Sequence, residues 1–115
     1  MRLDPIDHTF YTDFGFQRLS RSEAILAYYL LRGSKSAIRL HSLLYEHHAN
    51  QNSVIPKFNT LYTLIFNLDK KLLSIGAQIN TKGLEYTLSQ MSDDEFGKEV
   101  DRLEGDDDYH PEGSL

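Results

Sequence analysis

The sequence predicts a small α+β domain, mainly helical, with three helices, a β-hairpin, and a short amphipathic helix that ends in an acidic tail. Three observations carry this. Apolar residues recur at helical spacing in three successive stretches, and alternation at period two takes over between Ala77 and Leu88. Two Ser-x-x-Glu capping patterns mark helix starts at Ser20 and Ser92. At 115 residues the chain has material for one hydrophobic core.

Phe10, Tyr11, Phe14 and Phe16 crowd the start of the chain, and the alternation Phe14-Gly15-Phe16 before Leu19 predicts an extended arm or strand within 1–17 that covers a core edge. Ser20 and Glu23 make the capping box of a first helix over 20–32. In it Ile25, Leu26, Tyr29 and Leu30 fall at helical spacing, and Gly33 occupies the place of a C-terminal cap. A second helix over 36–48 carries Ile38, Leu40, Leu43 and Leu44 and ends in the polar run Ala49-Asn50-Gln51-Asn52-Ser53. Pro56 suits the first turn of a third helix over 57–74, whose stripe of Leu61, Ile65, Leu68 and Leu72, with Leu64 beside it, is the most regular in the chain. Ala77, Ile79 and Thr81 alternate up to a turn at Lys82-Gly83, and Leu84, Tyr86 and Leu88 alternate after it, which makes a hairpin over 77–88. Three helices followed by a hairpin, with the third helix exposed on one face, is the order of a winged helix-turn-helix domain, here spanning 18–88. Within 89–104, Phe96, Val100 and Leu103 share one face of a helix too short to stand alone, so that stripe docks on the domain, on a second copy or on a partner. Residues 105–115 have the composition of a disordered acidic end.

The net charge of −5 is unevenly distributed. Residues 1–17 carry −2; residues 18–88 carry nine bases against four acids, or +5; residues 89–115 carry two bases against ten acids, or −8. A basic module is joined to an acidic tail. No apolar run approaches the roughly 20 residues of a membrane span, and the acids and Pro5 at the N-terminus do not make a signal-peptide core, so a cytoplasmic location is expected. The absence of cysteine removes disulfides, thiolate metal sites and cysteine nucleophiles. His41, His47 and His48 share a helix, but His41 and His48 stand two turns apart with only Glu46 as a neighbouring acid, so the expectation is solvated histidines with no metal and no cofactor. There is no nucleophile elbow and no Gly-rich phosphate loop, so a binding protein is expected and not an enzyme.

The segments Leu19-Ser20-Arg21-Ser22-Glu23 with Tyr29-Leu30-Leu31, then Thr60-Leu61 through Ile65, Leu68 and Lys70-Lys71-Leu72, then Ile79-x-Thr81, Gly83 and Tyr86-x-Leu88, together resemble the DNA-binding effector domains of OmpR/PhoB-type response regulators over about seventy residues. They are similar in turn to that family's first-helix opening, its recognition helix and its wing, the last shortened by one residue. The resemblance implies a winged helix with the third helix in the DNA major groove and the hairpin on the backbone. No receiver domain accompanies these residues, so that family's phosphorylation input is not carried over. Where the family's recognition helix has several arginines, Asn67 and Asp69 stand here, with Leu64 and Phe66 where polar or basic groups are common.

The candidate DNA-contacting residues are therefore Lys57, Thr60, Thr63, Asn67, Lys70, Lys71 and, at the wing tip, Lys82. Lysines attract phosphate, asparagine can pair bidentately with adenine, and a threonine methyl can meet a thymine methyl. Tyr62 and Phe66, at i and i+4, are the candidates for a protein-facing patch or for core, and Phe96, Val100 and Leu103 are candidates for protein contact. Two function classes stand. One is a small DNA-binding transcriptional regulator, by analogy like the stand-alone modules of phages and mobile elements. The other is a winged helix turned to protein binding, which engages or inhibits a host polymerase subunit or DNA-binding enzyme with the acidic tail as a nucleic-acid mimic. The expected partners are double-stranded DNA, a protein or a second copy of the chain, with no membrane and no small-molecule substrate.

Overall fold

A computed structural model describes residues 1–50 and 57–109, and for Asn50 and residues 103–109 the backbone alone. The first eighteen residues do more than cover a core edge. They form a three-stranded antiparallel sheet of β1 (Arg2–Asp4), β2 (Thr9–Thr12) and β3 (Gly15–Arg18), in that order. Asp4 sets the first turn by accepting the Ile6 and Asp7 N–H groups on Oδ1. Period-two alternation then decides which aromatic enters the core: Phe10, opposite Leu3, is fully buried, whereas Phe16, opposite Tyr11, is 69% exposed. Phe10 packs in the same core cluster as the helices, so residues 1–17 and 18–88 share one interior.

The first helix, α1 (Arg21–Leu30), begins as the sequence dictates. Ser20 Oγ accepts the Glu23 N–H at 3.2 Å while Glu23 Oε1 accepts the Ser20 N–H at 2.8 Å, which completes the capping box. After it comes an element absent from the sequence reading, the two-residue strand β4 (Lys35–Ser36). It is followed by α2 (Ala37–Asn50), which buries Leu40, Leu43 and Leu44 but leaves Ile38 73% exposed. The third helix, α3 (Phe58–Leu73), buries the whole predicted stripe of Leu61, Ile65, Leu68 and Leu72. Pro56 lies outside the described residues.

The hairpin comprises β5 (Ala77–Lys82) and β6 (Glu85–Gln90), paired from Ala77↔Gln90 to Lys82↔Glu85. Its loop is Gly83-Leu84, one position later than the alternation suggested, with Gly83 taking the left-handed position at φ 63. The strand β4 pairs with β6, giving a second sheet in the order β4-β6-β5. The fold is thus an α+β domain of four helices and two small antiparallel sheets among the described residues.

The last helix, α4 (Asp93–Tyr109), starts on the second predicted box, where Ser92 and Glu95 exchange hydrogen bonds of 2.9 and 3.2 Å. It continues past the expected end at 104 to Tyr109, although Asp106 to Asp108 set negative charge against the negative end of the helix dipole. Residues 110–115 of the expected disordered end lie outside the described residues. Among the described residues no helix is long and apolar enough to cross a membrane.

Candidate nucleic-acid interface

The burial of Leu61, Ile65, Leu68 and Leu72 turns the opposite face of α3 outward, and that face carries Thr60, Thr63, Asn67 and Lys70, all exposed. Lys57, the N-cap of α3, is exposed as well and makes no side-chain cap bond. Asn59, which the sequence reading passed over, lies on the same side four residues before Thr63 and is exposed. Lys82 is exposed at the end of β5, but Glu85 stands opposite it, so the hairpin tip is close to neutral and not basic.

One candidate lysine points elsewhere. Lys71 Nζ donates to Glu23 Oε1 at 2.7 Å, and the Glu23 side chain is only 5% exposed. Burial opposes the charge on Glu23, but the Lys71 ammonium and the Ser20 N–H outweigh it and hold the carboxyl below its usual range. Lys71 therefore ties α3 to α1, and its charge is already committed. Asp69 is accounted for in a similar way. It does not face outward with Asn67; its Oδ1 accepts the Ile79 N–H at 2.8 Å and joins α3 to the first strand of the hairpin. Burial pushes the Asp69 carboxyl up, that N–H pulls it down, and Glu99 of α4 pushes it up further.

Along one edge of the outward face runs an aromatic row. Phe58, Tyr62 and Phe66 follow at i, i+4 and i+8, with exposures of 36%, 49% and 61%. Phe58 meets Tyr62 edge-on at 5.7 Å and His41 of α2 at 5.0 Å, and Lys70 Nζ sits 5.2 Å from the centre of the Phe66 ring. Tyr62 and Phe66 are thus surface groups and not core. The same spacing counted backward from Tyr62 would have added Phe58 from sequence alone. Leu84 at the hairpin tip is a further exposed apolar group, at 88%.

The C-terminal candidates behave differently. Phe96 stacks on Phe14 of the β2–β3 turn, with centroids 4.3 Å apart, and it is therefore engaged within the chain. Val100 is half-buried, and the Leu103 side chain lies outside the described residues. Of the three histidines, His48 is buried with Nε2 3.2 Å from Ser22 Oγ, and His47 Nε2 lies 2.9 Å from the Tyr29 hydroxyl. Both contact α1, His48 as a buried side chain and His47 as a half-buried one. No group of three or more residues suited to a metal ion occurs among the described residues. Compared with protein-family models, with curated proteins and with solved structures, the chain matches none.

Proposed function

We propose that this chain is a small winged-helix protein that binds duplex DNA, with α3 in the major groove and the β5–β6 tip on the backbone, and that it regulates transcription by doing so. The observation that carries the reading is the outward face of α3: Asn59, Thr60, Thr63, Asn67 and Lys70 lie together on a helix clamped to the hairpin through Asp69 and Ile79. Asparagine and threonine side chains read base edges, and lysines hold phosphates. The connectivity supports the same reading, because a helix, a short strand, two helices and a hairpin, with the short strand paired to the far hairpin strand, is a winged-helix order. With Lys71 committed to Glu23, the lysines left for phosphate are Lys57, Lys70 and Lys82, so affinity is modest. A titration of random-sequence duplex followed by amide NMR tests the surface: perturbations should centre on Thr60, Thr63, Asn67, Lys70 and Lys82. Perturbations confined to β1–β3 or α4 would contradict it.

A specific observation favours a second reading. The exposed row of Phe58, Tyr62 and Phe66 is better matched to an apolar protein surface than to phosphate. If intact protein fails to bind duplex at low salt, that row becomes the functional surface.

A further inference from the structure

A cleft of about 480 Å³ lies between β1, the turn after it, and one face of α1. That is within the range of small-molecule sites, roughly 300 to 1,000 Å³. On α1 its lining positions are Arg21, Ala24, Ile25, Tyr28 and Tyr29, at i, i+3, i+4, i+7 and i+8. The positions that face the core, Leu26, Ala27 and Leu30, and Glu23 with its bond to α3, fall on the other side of the helix. The cleft therefore opens away from α3. Leu3 and Pro5 form the facing wall, and His47 from the end of α2 also lines it. Arg32 lies over the Tyr28 ring at 4.3 Å and braces that side chain at the rim.

The lining chemistry is lopsided. Apolar and aromatic walls are joined by three basic side chains, His8, Arg21 and His47, with no carboxylate among the lining residues, in a chain with a net charge of −5. His48 is held below its usual pKa first by burial and then by the charges of Arg21 and His47, so both of those lining side chains lie close to it. His8 is the one non-glycine residue with positive φ among those described, at 55°. Its carbonyl accepts the Leu19 N–H at 2.8 Å, and the Asp4 turn fixes the residues just before it. Backbone held in a sparsely populated region is found preferentially where side chains clamp a ligand.

We propose that this cleft binds a small aromatic carboxylate, the ring between Leu3, Ile25 and Tyr28 and the carboxylate facing Arg21, His8 and His47. The Arg21 guanidinium supplies the fixed charge that attracts the carboxylate, and the two imidazoles add hydrogen-bonding groups beside it. Benzoate serves as the probe, with benzyl alcohol and acetate as ring-only and charge-only comparisons, each titrated into the full chain and followed by NMR shifts. Benzoate should give saturable shifts at His8, Ile25 and Tyr28 with an affinity at least about tenfold above either comparison, as expected for a charged hydrogen bond made in a partly dry site. Arg21→Gln should weaken benzoate about tenfold. His8→Gly, which relieves the positive φ and so preserves the fold, should weaken it severalfold at an unchanged melting temperature. If Arg21→Gln does not fold, His8→Gly decides alone. Shifts that do not saturate, that are matched by benzyl alcohol, or that persist unchanged in His8→Gly would overturn the proposal.

Discussion

Replacing Lys71 with methionine separates an internal ion pair from a DNA contact. Glu23 is 3% exposed, and its Oε1 accepts both Lys71 Nζ at 2.7 Å and the Ser20 N–H at 2.8 Å. Methionine keeps the apolar stem and withdraws the charge, which leaves the carboxylate with the backbone and side chain of the cap residue Ser20. Removing one partner of a buried pair costs about 3–5 kcal/mol. The Lys71 side chain is 38% exposed, so water already screens the pair, and the expected loss falls to about 1–3 kcal/mol. Urea denaturation at pH 7 should show it as a lower midpoint at unchanged slope. Acidification gives a second readout. Because the folded Glu23 carboxyl titrates below its ordinary value of 4.5, its contribution to stability is complete above about pH 4.5 and is lost as pH falls through the lower folded value. In Lys71→Met burial dominates, the carboxyl titrates higher, and the gap between variant and wild type should close in acid. A variant as stable as wild type at pH 7, with a parallel acid profile, would refute this reasoning and return Lys71 to the DNA-facing set.

Leu68→Ala, at a fully buried position, should cost about 2–5 kcal/mol in the same denaturation assay. Gly76→Ala should destabilise the fold and release α4, because Gly76 sits at φ 78 and a Cβ there would run into the Phe14 ring and touch Phe96; near-UV circular dichroism reads the lost stacking. Removing the −8 segment after Ser92 should tighten duplex binding, most at low salt, since exposed charges are screened over about 10 Å at 0.1 M. Ser92 is the end point because Met91 is buried and its N–H bonds to the Gly76 carbonyl. Phe96→Ala keeps the charge and should reproduce part of that gain by loosening α4 from Phe14; equal affinity in both variants and wild type would assign the tail another role.

The three central helices and the hairpin were legible because local rules suffice for them. The Ser20–Glu23 box, the α3 stripe and the alternation through Ile79 and Leu88 each act within a few residues. What stayed hidden depends on pairing across the chain. Lys35-Ser36 is a strand only because Tyr86 and Glu85 lie beside it, and two polar residues carry no alternation. The N-terminal sheet was visible as one extended piece, but the choice of Phe10 over Phe16 for the core follows from register with Leu3 and Tyr11. The candidate interface divides in the same way. Helical periodicity placed Thr60, Thr63, Asn67 and Lys70 outward, whereas Lys71 was lost to a residue 48 positions away and Asp69 to the hairpin N–H of Ile79.

The salt dependence of duplex binding tests the central reading most directly. If the three lysines of the proposed interface, Lys57, Lys70 and Lys82, each meet a phosphate, the expected slope of log affinity against log salt is about −3. Lys70→Ala should lower that slope by about one and weaken all sequences alike, while Lys71→Met should leave the slope of the folded protein unchanged. An intact protein that does not bind duplex at low salt, or a slope that Lys70→Ala leaves untouched, would contradict the assignment of α3 to DNA.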